Sequence, residues 1–231
     1  MTEPYRLPLL IIYLFLTHSA FAQFAVVNDP DGYCNIRKSP INGDIITQLK
    51  NGTVVYGLPE PEKKWQQVDY SFDPSETGYI YTGRIDYIDK LPSIPVTHEK
   101  DNIVVLSNDK IKITVVTQKF DPANHQLLYS KEYTKLLRYI DGQEFVGTDA
   151  NVPELEYKSL QISFSGKTIA IPKDALSRLY QPDLRHTIAN YDAKKDILYL
   201  HSANSDGAGA YEILWVIDKK QYKTRYIMEG F

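Results

Sequence analysis

Alternation of apolar and polar positions dominates the second half of the chain. Leu160, Ile162 and Phe164 alternate with Gln161, Ser163 and Ser165 before Gly166, a period of two that turns one set of side chains toward a buried face of a strand. Ile103, Val104, Val105 and Leu106 are separated from Ile111, Ile113 and Val115 by Asn108-Asp109, the pattern of a hairpin. Two more strands are expected over 197–201 and 211–217, joined by a polar, glycine-containing loop over 202–210, and a last one over 222–228. Pro172 followed by Lys173, Asp174, Ala175 and Leu176 opens a short helix that ends before Pro182, because proline fits the start of a helix and not its interior. Earlier, residues 25–88 read as short strands cut by turn residues: Asp29-Pro30-Asp31-Gly32, 40–43, Asn51-Gly52 and 59–64. Such regular spacing predicts a small barrel. Pro92, Pro95 and the polar run His98-Glu99-Lys100-Asp101 separate the two halves and read as a linker over 91–101. The expected fold is mainly β: a small barrel over 23–90, then a larger antiparallel β domain over 102–231 with at most one or two short helices.

The first residues carry an address. Arg6 precedes an apolar run over 7–16, and Ala20 and Ala22 flank Phe21, the basic, apolar and small-residue parts of a secretory signal peptide. The run is well short of the ~20 residues that cross a bilayer. Residues 1–22 are therefore expected to be cleaved after Ala22, giving a periplasmic or secreted product with no stable membrane insertion. The single cysteine, Cys34, admits no intrachain disulfide and lies too far from the cleavage point to carry a lipid, so it reads as a buried structural thiol. The formal charge is −3, and losing Glu3 together with Arg6 leaves it unchanged. That balance offers nothing to nucleic acid or to an anionic membrane. Eighteen tyrosines suit strands.

Within the first half stand Gly32-Tyr33-Cys34-Asn35-Ile36-Arg37, then Asn51-Gly52-Thr53-Val54-Val55, Trp65 with Val68, and Gly78-Tyr79-Ile80. This order resembles a bacterial SH3 (SH3b) domain: an apolar-Asn-apolar-Arg element, a glycine after a short strand, a tryptophan-apolar pair and a closing Gly-Tyr-Ile. Cys34 stands where an aliphatic residue is more typical. The resemblance implies an SH3-like barrel and an envelope-associated binding module, with peptidoglycan peptide a frequent ligand, and it implies no catalysis. By residue type, Tyr33, Tyr56, Tyr79 and Tyr81 are the aromatic candidates for a peptide groove, with Asp29 and Asp31 able to meet an amino group. Their competing role is structural, as barrel tyrosines and turn-forming acids. Trp65 is expected in the barrel core, and Arg37 is expected to tie the barrel to a neighbouring carbonyl or carboxylate.

The second half shows little chemistry. No cysteine follows Cys34, which excludes a cysteine hydrolase there. His98, His125, His186 and His201 lack metal-ligand spacing; His98-Glu99 begins a zinc-peptidase motif, but Asn102 stands where the second histidine belongs. Each histidine reads as an ordinary polar residue, with no metal and no cofactor. Ser165-Gly166 and Ser205-Asp206-Gly207 are fragments of a serine nucleophile turn only. The small-residue loop from Ser205 to Ala210 ahead of Tyr211 is either a tight hairpin connection or a protruding contact in which Ser205, Asp206 and Tyr211 meet a partner. The function expected is an exported cell-envelope binding protein whose partner is peptidoglycan or an envelope protein. The alternatives are an inhibitor of a wall-cleaving enzyme, by analogy with periplasmic lysozyme inhibitors, and a hydrolase using a carboxylate pair.

Overall fold

The structure, a computed structural model, describes residues 23–58, 64–133 and 135–229. The expected signal peptide over 1–22 and most of the turn expected over 59–64 lie outside the described residues.

Seven strands make the first sheet: β1 (Gln23–Val27), β2 (Tyr33–Arg37), β3 (Ile45–Lys50), β4 (Val54–Gly57), β5 (Trp65–Phe72), β6 (Ser75–Tyr81) and β7 (Ile85–Tyr87). Their order is β3-β2-β6-β5-β4-β1-β7. Ala25 and Val27 of β1, Ile36 of β2, Val55 of β4, Val68 of β5, Ile80 of β6 and Ile85 of β7 share one core with Cys34. Side chains from so many strands meet only if the sheet curls. It does not close into a barrel, however, which corrects that expectation: β3 and β7 are its two edges and do not pair. The edge strand β7 has only three residues before a 3-10 turn over Ile88–Lys90. The Asn51-Gly52 turn is as expected, with Gly52 at φ 87, a conformation glycine adopts without strain, and its N–H donates to the Val27 carbonyl at 2.9 Å.

The rest of the chain adds β8 (Ser93–Ile94), β9 (Val96–Lys100), β10 (Ile103–Ser107), β11 (Ile111–Lys119), β12 (Leu127–Tyr129), β13 (Leu137–Ile140), β14 (Leu155–Phe164), β15 (Lys167–Thr168), β16 (Thr187–Asp192), β17 (Ile197–Asn204), β18 (Tyr211–Asp218) and β19 (Gln221–Glu229). They form two five-stranded antiparallel sheets, β15-β14-β11-β10-β9 and β19-β18-β17-β16-β8, with β12-β13 as a separate hairpin. The expected β10-β11 hairpin turns where Asn108 accepts the Lys110 and Ile111 amides on its side-chain oxygen at 2.9 and 2.8 Å. The expected short helix is a 3-10 turn over Lys173–Leu176 preceded by Pro172. The expected linker over 91–101 is instead two strands. β8 pairs with β16 and β9 pairs with β10, so this segment forms the edge of both sheets, where its prolines remove no ladder hydrogen bond.

The two five-stranded sheets face each other across one core. Val104, Leu106, Ile113, Val115 and Ile162 from one meet Leu198, Leu200, Ile213, Trp215 and Ile217 from the other. Trp215 is fully buried, and its indole N–H donates to the Ala175 carbonyl at 2.7 Å. The opposite face of β17, β18 and β19 is also covered: Tyr199, Leu214, Val216 and Met228 pack on Phe24, Val26, Val54 and Tyr56 of the first sheet. Every residue of β18 from Tyr211 to Ile217 is therefore buried, which is why its sequence runs almost continuously apolar rather than alternating.

One charge lies in this second interface. Glu212 of β18 is 9% exposed; one carboxylate oxygen accepts the Tyr56 hydroxyl at 3.0 Å and the other lies 2.7 Å from His201 Nε2. A buried carboxylate is tolerated only when so engaged. Because the first sheet and the sandwich share this packed layer, residues 23–229 are expected to unfold in one urea transition rather than two. Tyr56→Phe should lower its free energy by about 1.5–3 kcal/mol, the loss of a hydrogen bond to a charged group; two separate transitions would show that the interface does not couple the sheets.

Candidate functional site

A groove of 270 Å³ opens on the first sheet where the Asp29–Gly32 turn, the start of β5 and the end of β6 come together, lined by Tyr33, Trp65 and Tyr81 with Asp31, Arg37 and Arg84. Trp65 and Tyr81 are directly opposed across β5 and β6, their ring centroids 5.8 Å apart and edge to face at 76°. Tyr33, at the start of β2, is 43% exposed. The groove is thus walled by aromatic rings and edged by charges of both signs.

Its geometry depends on close backbone approach. β2 meets β6 at Arg37 and Tyr79, and a Cβ on Gly78 would stand 2.3 Å from Ile36 Cγ2, so only glycine lets the two strands lie this near. The Asn-Ile-Arg and Gly-Tyr-Ile elements noted in the sequence are therefore packed against each other. Arg37 does tie the sheet to a neighbouring carbonyl, donating to Gly43 O at 2.8 Å. Asp29 is a turn-former: it is 7% exposed, accepts the Asp31 amide at 2.9 Å and pairs with Arg84 at 3.1 Å. Asp31 is exposed and is the acid presented at the rim. Cys34 is buried, and burial, reinforced by the nearby Asp29 carboxylate, pushes its thiol upward; it is kept as the thiol, not the nucleophilic thiolate.

The seven residues singled out in the sequence separate. Tyr33 and Tyr81 line the groove. Tyr79 is half-buried on the same strand face as Tyr81, with its hydroxyl 3.4 Å from Gln67. Tyr56 is fully buried against the sandwich and does not reach the groove; burial and the Glu212 carboxylate raise its hydroxyl far above the ordinary tyrosine range. Trp65, expected in the core, faces the groove instead. Alternation carries that signal: Val68 points inward, and a residue three positions earlier in a strand points to the other face.

The Ser205–Ala210 loop is the hairpin connection between β17 and β18, whose ladder runs to Asn204 and Tyr211. It is packed down rather than protruding. Ser205 Oγ donates to Gly147 O at 2.8 Å, and a Cβ on Gly209 would stand 2.9 Å from the Thr148 backbone. Tyr211 is fully buried, so of the three proposed contacts only Asp206 is exposed. Ser205 and Asp206 line an 850 Å³ surface cleft with Asp183, Arg185 and His186, where the Arg185 hydrogen bond holds the Asp183 carboxyl low.

The histidines are less ordinary than their sequence context suggests. His186 is 3.2 Å from Asp183, His201 is 2.7 Å from Glu212, and His125 lies between Asp141 at 2.7 Å and Glu156 at 3.3 Å. The His125 ring also stacks on Phe120 at 4.5 Å. With one nitrogen facing each carboxylate it ties Asp141, after β13, to Glu156 of β14. Among the described residues no three or more histidine, cysteine or acidic side chains gather as a metal cage.

Scans against protein-family models, curated proteins and solved structures find no match.

Asp141 anchors the base of the β12-β13 hairpin. Burial opposes its charge, but the Gln126 amide and His125 outweigh this and hold its carboxyl below the ordinary value of 3.8. A lowered acid lends stability above the ordinary value and loses it as pH falls through its own. The Gln126 amide resonance is expected to titrate with a midpoint below 3.8, and Asp141→Asn to abolish that titration; a midpoint at or above the ordinary value would show that the anchor does not form.

Proposed function

We propose that this chain is an exported cell-envelope binding protein, and that the Tyr33–Trp65–Tyr81 groove takes a short peptide of the cell wall. The observation that carries the reading is the convergence of three aromatic side chains with an exposed acid, Asp31, and a partly exposed base, Arg84, on one groove. Aromatic walls suit an extended backbone, since rings supply contact area at small entropic cost. Opposite charges at the rim suit a ligand bearing both amino and carboxylate groups, as wall peptides do. The SH3b resemblance in residues 24–88 points the same way, and the sequence elements that carry it supply Tyr33, Arg37 and Trp65 to the groove. A volume of 270 Å³ lies just under the range of drug-sized pockets, roughly 300–1,000 Å³, and fits one or two residues rather than a glycan strand.

Retention of the chain beginning at Gln23 on insoluble peptidoglycan checks the proposal. Trp65→Ala and Tyr81→Ala are each expected to reduce the retained fraction about tenfold, as truncation of a hot-spot aromatic costs upward of ~1.4 kcal/mol. Tyr79→Ala, outside the groove, should change it little. Unchanged retention in Trp65→Ala would remove the groove as the binding site.

A further inference from the structure

The β12-β13 hairpin presents side chains that its own packing leaves unused. Leu137 and Ile140, with Leu127 against them, turn inward onto Phe120 and Tyr180. On the other side Leu128 is 59% exposed; Tyr133 is 60% exposed at the turn, and Leu136 and Tyr129, which stands opposite Leu137, are also open. Interleaved with them are Lys131, Lys135 and Arg138 against a single acid, Glu132, all exposed. None of these four takes part in an ion pair among the described residues. The charge of −3 over the whole chain conceals this local excess of base.

From this juxtaposition we propose that the hairpin is a peripheral contact for an anionic phospholipid surface. Leu128, Tyr129, Tyr133 and Leu136 settle at the headgroup boundary while Lys131, Lys135 and Arg138 meet the phosphates. Charge complementarity selects the occupant: apolar and tyrosyl groups set among bases match an interface that is apolar beneath and negative above. Tyrosine is suited to that depth because its ring is apolar and its hydroxyl stays wet. Among its described residues the hairpin is tied by the Gln126–Asp141 hydrogen bond at one end and the Ser130–Leu136 backbone hydrogen bond of 2.8 Å toward the other. No helix among the described residues is long and apolar enough to cross a membrane, and the proposed contact is with the surface. Three bases make the attachment reversible and salt-sensitive.

Flotation of the chain beginning at Gln23, which contains every strand described, tests this. It should float with phosphatidylcholine vesicles containing phosphatidylglycerol at low salt, and remain behind with pure phosphatidylcholine or at high salt. Leu128→Ser with Tyr133→Ser, and separately Lys131→Glu with Lys135→Glu, should each lower the bound fraction about tenfold or more while retention on peptidoglycan is unchanged. The charge-reversed variant keeps the apolar set intact and guards against a folding defect in the other. Absence of flotation with anionic vesicles, or flotation that survives both variants, would overturn the proposal. So would loss of a dimer in those variants without any lipid binding, which would assign the patch to a second copy of the chain.

Discussion

The structure depends on β18 being buried on both faces. β18 sends Tyr211, Ile213, Trp215 and Ile217 into the sandwich core and Glu212, Leu214 and Val216 toward the first sheet. Burying apolar area on two sides makes it the common wall of two cores, and such burial is the dominant favourable term in folding. The same burial imposes a condition on Glu212, whose two buried oxygens need hydrogen-bond partners. Tyr56 from β4 and His201 from β17 supply those contacts, so a polar requirement of the sandwich is met partly by the first sheet. The Phe24 ring completes the layer, edge to face with Tyr56 at 4.9 Å and with His201 at 5.6 Å.

This arrangement decides which side of the first sheet remains open to solvent. Phe24, Val26, Val54 and Tyr56 are committed to the interface, while Ala25, Val27 and Val55 fill the sheet's own core. On β2, β5 and β6 the outward positions include Tyr33, Trp65 and Tyr81. The groove therefore sits on strands whose inward residues Ile36, Val68 and Ile80 are fully buried. Its aromatic walls are held by a packed core, the condition under which a binding site keeps its shape without a ligand.

Strand-by-strand alternation made much of this legible beforehand. Leu160, Ile162 and Phe164 are inward as their period requires, the Asn108 turn and the proline-led turn at 173–176 form where expected, and the mainly β class follows from the same pattern. What sequence could not reveal were relations between sheets. Tyr56 looks like its neighbouring groove tyrosines until the sandwich covers it, and Tyr211 reads as a loop-flanking contact until its strand is found buried on both faces. Residues 91–101 read as a linker because prolines and charges dominate them, whereas those same residues suit edge strands with one solvent-facing side. Trp65 is a different case: its outward direction follows from its spacing to Val68, and bulk alone suggested the core.

The most direct measurement uses the two tryptophans of the chain, which report on different places. Trp65 lines the groove, while the Trp215 indole is buried and bonded to Ala175. In a two-dimensional nitrogen-proton NMR titration with a soluble disaccharide-peptide fragment of peptidoglycan, the Trp65 indole resonance should move saturably while that of Trp215 stays in place. A Trp65 resonance that does not respond as the fragment is added would contradict the account.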